Sequence, residues 1–256
     1  MSFTGQSSET RAPGQPGAGK DVSARPGRRL VLAIDTALGA CAAAVYDAGL
    51  GQTLAVQSYV MSRGHAEVLM PMVERVMHDA GISFDQLDRV VTTSGPGSFT
   101  GLRVGIAAAR GVALACGKPA VGISTLDALS APHITDNETV PIVVAIDAKH
   151  GNFYLQMIGA GGRVLVAPRV ASLQEALRSV AIGLVRIIGS GADQLAAHWP
   201  SMDVPAPLLV DPRAAPDIIW VARLGAKADP DKALPRPLYL RAPDARPQDA
   251  HRLARR

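Results

Sequence analysis

Gly95-Pro96-Gly97-Ser98-Phe99-Thr100-Gly101-Leu102-Arg103-Val104-Gly105 follows the apolar pair Val90-Val91 and opens a segment rich in Gly and Ala. A strand, a glycine turn and a helix N-terminus in that order leave backbone N–H groups pointing outward. Such a turn can cradle a phosphate. It can equally let two elements pack very closely, because glycine has no Cβ. The residues leave both readings open, and they lead to different proteins.

On either side of the stretch the pattern is α/β. Arg89–Thr93 reads as the strand before it and Leu102–Cys116 as the helix after it, with a strand at Ala120–Ile123 and a short helix from Leu126. Further upstream, Leu30–Ile34 is a continuous apolar strand that ends at Asp35-Thr36. Strands at Ala42–Tyr46 and Leu54–Met61 follow. Leu69, Val73, Val76 and Ala80 recur at helical spacing, so His65–Ala80 is a helix stopped by Gly81. Pro71 is expected to kink that helix or to mark its effective first turn, because it removes the bond to Glu67.

A second unit repeats the first. Ala33-Ile34-Asp35 is followed by Gly39, and Ala145-Ile146-Asp147 by Gly151, with the same AIDxxxG spacing. Each copy ends an apolar strand and turns into another, which indicates a duplicated β-β-β-α core. In the second copy, strands are expected at 153–158, 163–167 and 186–189, and helices at 172–180 and 192–198. Pro-rich segments at 200–216 and 229–247 flank a last helix, Asp217–Lys227. This unit is the smaller, so it is expected to have lost elements.

Composition narrows the class. The chain has 256 residues, 48% hydrophobic and 19% charged, which describes a globular protein with room for two domains of about 100 residues. Aromatics are only 4%, so the core is built of Ala, Val, Leu and Ile. The net charge of +4 sits at the ends. Residues 1–30 and 241–256 each carry five basic and two acidic groups, leaving 16 basic and 18 acidic groups between them. The body therefore has no cationic excess of the kind a dedicated nucleic-acid grip needs. Cys41 and Cys116 lack metal-ligand spacing and read as buried thiols of a reducing compartment, which points to the cytoplasm. No apolar run reaches about 18 residues, so no membrane span is expected. Residues 1–28 lack an apolar core of the signal-peptide kind and are expected to be a disordered extension or an upstream start.

Two lobes that each open with a strand–Asp–turn–strand hairpin resemble the actin-like ATPase superfamily, the duplicated ribonuclease-H-like fold. Within it, SRGHAEVLMPMVERVMHDAG and VVTTSGPGSFTGLRVGIAAARGVALACGKPAVGISTLDALS closely resemble the TsaB (YeaZ) family. The likeness runs from Leu30 to Leu129 and returns at Pro237-Leu238-Tyr239-Leu240-Arg241. It implies a first lobe at 29–132, a reduced second lobe at 133–228 whose last helix packs back on the first, and a Pro/Arg-rich tail at 229–256. It also implies a role in threonylcarbamoylation of the adenosine beside the anticodon of ANN-decoding tRNAs. The implied partners are a TsaD-like paralogue that performs the transfer, a TsaE-like P-loop ATPase, and a second copy of the chain. The tRNA would be met through the complex.

The TsaD-like paralogues carry a metal-binding HxxxH helix where this chain has Thr125-Leu126-Asp127-Ala128-Leu129. Positions i and i+4 share a helix face. Leu129 cannot bind a metal and Thr125 is a poor ligand, so the resemblance implies a subunit without catalytic residues, metal or cofactor. Asp35, Thr36, Gly39 and Asp147 stand where the superfamily has its phosphate loops. One hydroxyl, one glycine and no lysine make a thin cradle, here a vestigial nucleotide loop. Gly189-Ser190-Gly191 resembles an adenosine-side loop or is simply a turn. The family's partner surface maps to His65, Leu69, Met72, Val73, Val76, Phe99, Leu102, Gly105 and Ala109. On that mapping Gly105→Leu loses the partner and keeps the fold. Two alternatives stay open: an autonomous actin-like ATPase or kinase, supported by Asp35 and Asp147, and a metallopeptidase.

Overall fold

The computed structural model describes residues 27–134, 139–200 and 204–241. The expected N-terminal extension, save for its last two residues, and the tail beyond Arg241 lie outside them.

The first lobe runs β1 (Leu30–Asp35), β2 (Ala40–Asp47), β3 (Gln52–Val60), α1 (His65–Ala80), β4 (Arg89–Gly95), α2 (Phe99–Cys116), β5 (Ala120–Ser124) and α3 (Thr125–Ser130). The second runs β6 (Ile142–Asp147), β7 (Asn152–Ile158), β8 (Val164–Ser172), α4 (Leu173–Val180), β9 (Arg186–Ile188), α5 (Ala192–Ala197), β10 (Leu209–Asp211) and α6 (Ile218–Lys227). The sheet orders are β3-β2-β1-β4-β5 and β10-β9-β6-β7-β8. In both, the first hairpin is antiparallel and the last strands are parallel to the first. The fold is thus a duplicated α/β fold of the actin-like type.

The second lobe has lost length rather than elements, which corrects the expectation. It keeps all five strands in the same order, but β9 and β10 have three residues each and α5 has six. β10 escapes a reading of the sequence because three residues inside a Pro-rich segment carry no period. Pro71 lies within an unbroken α1, and both Pro71 and Glu67 are exposed, so the bond it removes is on the wet side.

β1 explains the layering. Leu30, Leu32 and Ile34 face one core with α1 and α2, while Val31 and Ala33 face another with α6. A strand covered on both faces must be apolar throughout, as Leu-Val-Leu-Ala-Ile is. β6 repeats this: Val143 and Ala145 meet α4 and α5, while Ile142, Val144 and Ile146 meet Leu126 and Leu129 of α3. This last cluster joins the lobes. α1 and α2 are the outer layer of the first lobe, α4 and α5 that of the second.

By length and composition alone α2, with 18 residues, is apolar enough to cross a membrane, which corrects the expectation that no segment is. In the fold its buried stripe packs on the first lobe, and Arg103 and Arg110 are exposed.

The glycines of the opening stretch resolve into close packing. A Cβ on Gly97 would overlap the Ala37 carbonyl, one on Gly101 the Thr36 carbonyl, and one on Gly105 the Thr36 hydroxyl. By contrast, Gly111 on the same helix has open space around its Cβ position. Gly101→Ala should therefore cost about 1–3 kcal/mol by forcing backbone apart. Gly111→Ala should stabilise by about 0.5–1 kcal/mol through helix propensity. Urea unfolding of the two variants checks this opposition of sign.

Candidate functional site

The α2 N-terminus and the β1–β2 turn are bonded to each other. Ser98 N–H donates to the Ala37 carbonyl at 2.7 Å, and the Thr36 hydroxyl donates to the Gly101 carbonyl at 2.7 Å. Ser98 caps α2 by accepting from Gly101 N–H. The turn's own amides are also engaged: Ala37 N–H donates to Asp35 Oδ1 at 3.0 Å and Gly39 N–H to the Ala214 carbonyl at 3.2 Å. A phosphate loop offers its amides to the ligand. Here they are directed into the protein.

Asp35 is fully buried at the end of β1. Its Oδ1 also accepts the Thr93 hydroxyl, while Oδ2 has no partner. Burial pushes its carboxyl above the usual range, against the bonds from Thr93 and Ala37 and the nearby His65. His65 is half-buried at the start of α1, and its Nε2 also lacks a partner. His65 is thus a neighbour of Asp35. Behind them the Cys41 thiol is buried and pushed up to about 11, first by burial and then by Asp35.

Asp147, the counterpart in the second lobe, differs. It is part-exposed and bonds Lys149 twice, through the backbone N–H and through Nζ, both at 2.8 Å. Burial opposes its ionisation, but the Lys149 contacts prevail and hold its carboxyl below the usual range. Lys149 and His150 both adopt positive φ, 64° and 54°. The Gly189-Ser190-Gly191 turn packs inward: Cβ atoms on Gly189 and Gly191 would strike the Ala145 carbonyl and the Phe153 ring. Gly191 N–H donates to the Ala145 carbonyl at 2.9 Å.

Between the lobes lies a cavity of about 600 Å³. Leu38, Ser62, Ser98 and Phe99 line it from the first lobe, and Asp147, Lys149, His150, Tyr154 and Ser190 from the second. Leu238, Tyr239 and Arg241 line it as well. The loops that the resemblance reads as phosphate loops border it, and the residues present do not fit a nucleotide: the Ala37 and Gly39 amides are spent, the neighbouring Asp35 carboxylate is sealed, and Asp147 is paired with Lys149. A metal fits no better at the α3 site. Leu129 is part of the apolar contact between lobes, and Thr125 is wholly buried.

The sequence model of the TsaD family, tRNA N6-adenosine threonylcarbamoyltransferase, matches residues 55–207. The chain is 36% identical over 124 residues to the tRNA threonylcarbamoyladenosine biosynthesis protein TsaB of Escherichia coli, covering 48% of this chain and 52% of that one. It is 34% identical over 224 residues to the uncharacterized protein Rv3421c of Mycobacterium tuberculosis, covering 85% and 94%.

The chain belongs to the TsaB/TsaD family.

The solved structure of YeaZ from Pseudomonas aeruginosa superposes with a TM-score of 0.66 at 25% identity, covering 83% of this chain and 100% of that one. The chain spans about half the length of the TsaB relatives it matches. The glycine stretch is the part that closes the first loop.

The side chains mapped to the partner surface are mostly turned inward, which corrects that mapping. Leu69, Met72, Val73, Val76 and Ala109 belong to the first lobe's own core. Leu102 packs with Ala37 and Ile106, and Gly105 faces Thr36 and Thr92. Only Phe99 of the set is exposed. A helix lying on a sheet gives its most apolar stripe to that sheet, so periodicity finds the inner face first. Gly105→Leu would therefore break the fold instead of sparing it. The outer face instead shows Met70, Pro71, Ala107, Gly111 and Leu114, and Leu114 is 84% exposed.

A carboxyl raised in the folded state binds its proton more tightly there than in the unfolded chain. Asp35 therefore lowers stability as pH rises above the ordinary carboxylate value of 3.8. Asp35→Asn keeps the acceptor for Ala37 and Thr93 and removes the buried charge. It should be more stable than the parent at pH 7, with the difference shrinking toward pH 4, as thermal unfolding across that range would show.

Proposed function

We propose that this chain is the non-catalytic subunit of a tRNA threonylcarbamoyl-transferase assembly, required by a TsaD-type transferase that it pairs with. The observation that carries this reading is the closed first loop: α2 is bonded into the very turn where a nucleotide's phosphates would sit. The relatives named for tRNA threonylcarbamoyladenosine biosynthesis support the pathway. The replacement of both metal-ligand positions by Thr125 and Leu129 supports a supporting role rather than the transfer itself.

Pairing falls to the outer face of α1 and α2. Ala107, Gly111 and Leu114 lie three or four residues apart and share one face of α2. Met70 and Pro71 lie exposed on α1. Small residues there let a partner helix approach closely, and Leu114 supplies an apolar anchor. A second copy of the chain can use the same face. A TsaE-type P-loop ATPase joins the pair, tRNA is met through the complex, and the assembly works in the cytoplasm without a cofactor bound to this subunit.

The test is reconstitution. The purified chain alone should modify no tRNA, and should restore modification when added to the transferase, the P-loop ATPase and the enzyme that makes threonylcarbamoyl-adenylate. Failure to restore it with an intact transferase present refutes the reading. Leu114→Glu should leave circular dichroism unchanged while weakening association with the transferase at least tenfold by titration calorimetry.

A further inference from the structure

The segment after α6 belongs to neither sheet, yet it is bonded to both lobes. Arg89 fixes its start by donating to the carbonyls of Gly225 and Ala228, both at 2.8 Å. It then follows β5, the free edge of the first sheet. Gly122 N–H of β5 donates to the Ala233 carbonyl at 2.8 Å, and a Cβ on Gly122 would come 2.8 Å from Pro235 Cα. Leu238 N–H donates to the Ser94 carbonyl at 2.7 Å, and the Leu238 carbonyl rests against Gly95.

Tyr239 next meets the α2 N-terminus. Its ring lies 5.1 Å from that of Phe99, centroid to centroid, and its hydroxyl accepts from Arg103 Nε at 3.2 Å. The Arg103 guanidinium covers the Phe99 ring at 3.8 Å. Two residues on, Arg241 crosses to the second lobe and donates to the Ala148 carbonyl at 3.2 Å. Ala148 lies in the β6–β7 turn beside Asp147.

We propose that residues 233–241 are a clasp that holds the interlobe cleft at one width. Leu126 and Leu129 against β6, Gln156 Nε2 donating to Asp127 Oδ1, and α6 packed on the first sheet join the lobes, and lobes joined through packed helices can still hinge. A further tie across the cleft restricts that freedom when one end is rigidly seated. The seat is the first lobe, where backbone bonds and the Phe99–Tyr239–Arg103 stack fix the segment at several points. The bond from Arg241 to Ala148 is the latch. Gly122 and Gly95 fit this account, since each leaves the space the clasp's backbone occupies. The clasp acts whether or not the outer helices meet a partner, and it turns a cleft that could open and close into a recess of fixed shape.

Spin labels at Ser62→Cys and His150→Cys, both exposed and on opposite walls, report the cleft width by pulsed dipolar EPR. Cys116→Ala removes the half-buried native thiol, and the fully buried Cys41 stays unlabelled. The parent should give one narrow distance distribution. Arg241→Ala should at least double its width or add a second distance, and Tyr239→Ala with Arg241→Ala should do so more strongly. A parent distribution already as broad as the variants' overturns the proposal. So does an unchanged distribution in folded Arg241→Ala, judged by circular dichroism. If the double variant fails to fold, the single one decides.

Discussion

Backbone meets backbone where the β1–β2 turn touches the start of α2. Gly97 just before α2, and Gly101 and Gly105 within it, place bare backbone against Thr36 and Ala37, and the bonds from Ser98 and Thr36 close the contact. Much of the rest follows from this contact. It sets the height of α2 over the sheet, and so which stripe of α2 is left for solvent. It seals Asp35 from water. Of the turn's amides, Ala37 N–H is held by Asp35 and Gly39 N–H by the Ala214 carbonyl. Glycine in a helix costs about 1 kcal/mol against alanine, and here that cost is offset by contact no other residue permits.

The two lobes show how a duplicated fold diverges without changing its topology. Both keep five strands in the same order. The first kept its helices long and its glycines tight. The second shortened its last strands and kept a more open first turn, with Lys149 and His150 at positive φ beside a paired Asp147. The equivalent aspartates therefore sit in opposite surroundings: one is buried with its carboxyl pushed up, the other is held down by a lysine. The cleft persists as a cavity with serines, aromatic rings and cations on its walls.

The mapping of partner residues shows a general asymmetry in reading helices. Leu69, Val73 and Val76 stand out in the sequence because they are large, apolar and periodic. Those are the properties a helix spends on its own sheet. The residues left outside, Ala107, Gly111 and Leu114, form no strong pattern, and Leu114 becomes conspicuous only in the fold, where it is 84% exposed.

Sequence alone determined the α/β class, the duplication and the main elements, because apolar runs, helical spacing and the AIDxxxG repeat are local. It also ruled out a metal site on α3, since Leu129 has no donor atom whatever surrounds it. β10 was hidden, because a three-residue strand draws its stability from a neighbour far along the chain. Whether the glycine stretch cradles an anion or packs against protein depended on where residues 36–39 lie, some sixty positions away. Composition cannot carry that information. Only folding brings the Thr36 carbonyl onto Gly101 and the tail onto Gly122, and with those contacts the same glycines become structural.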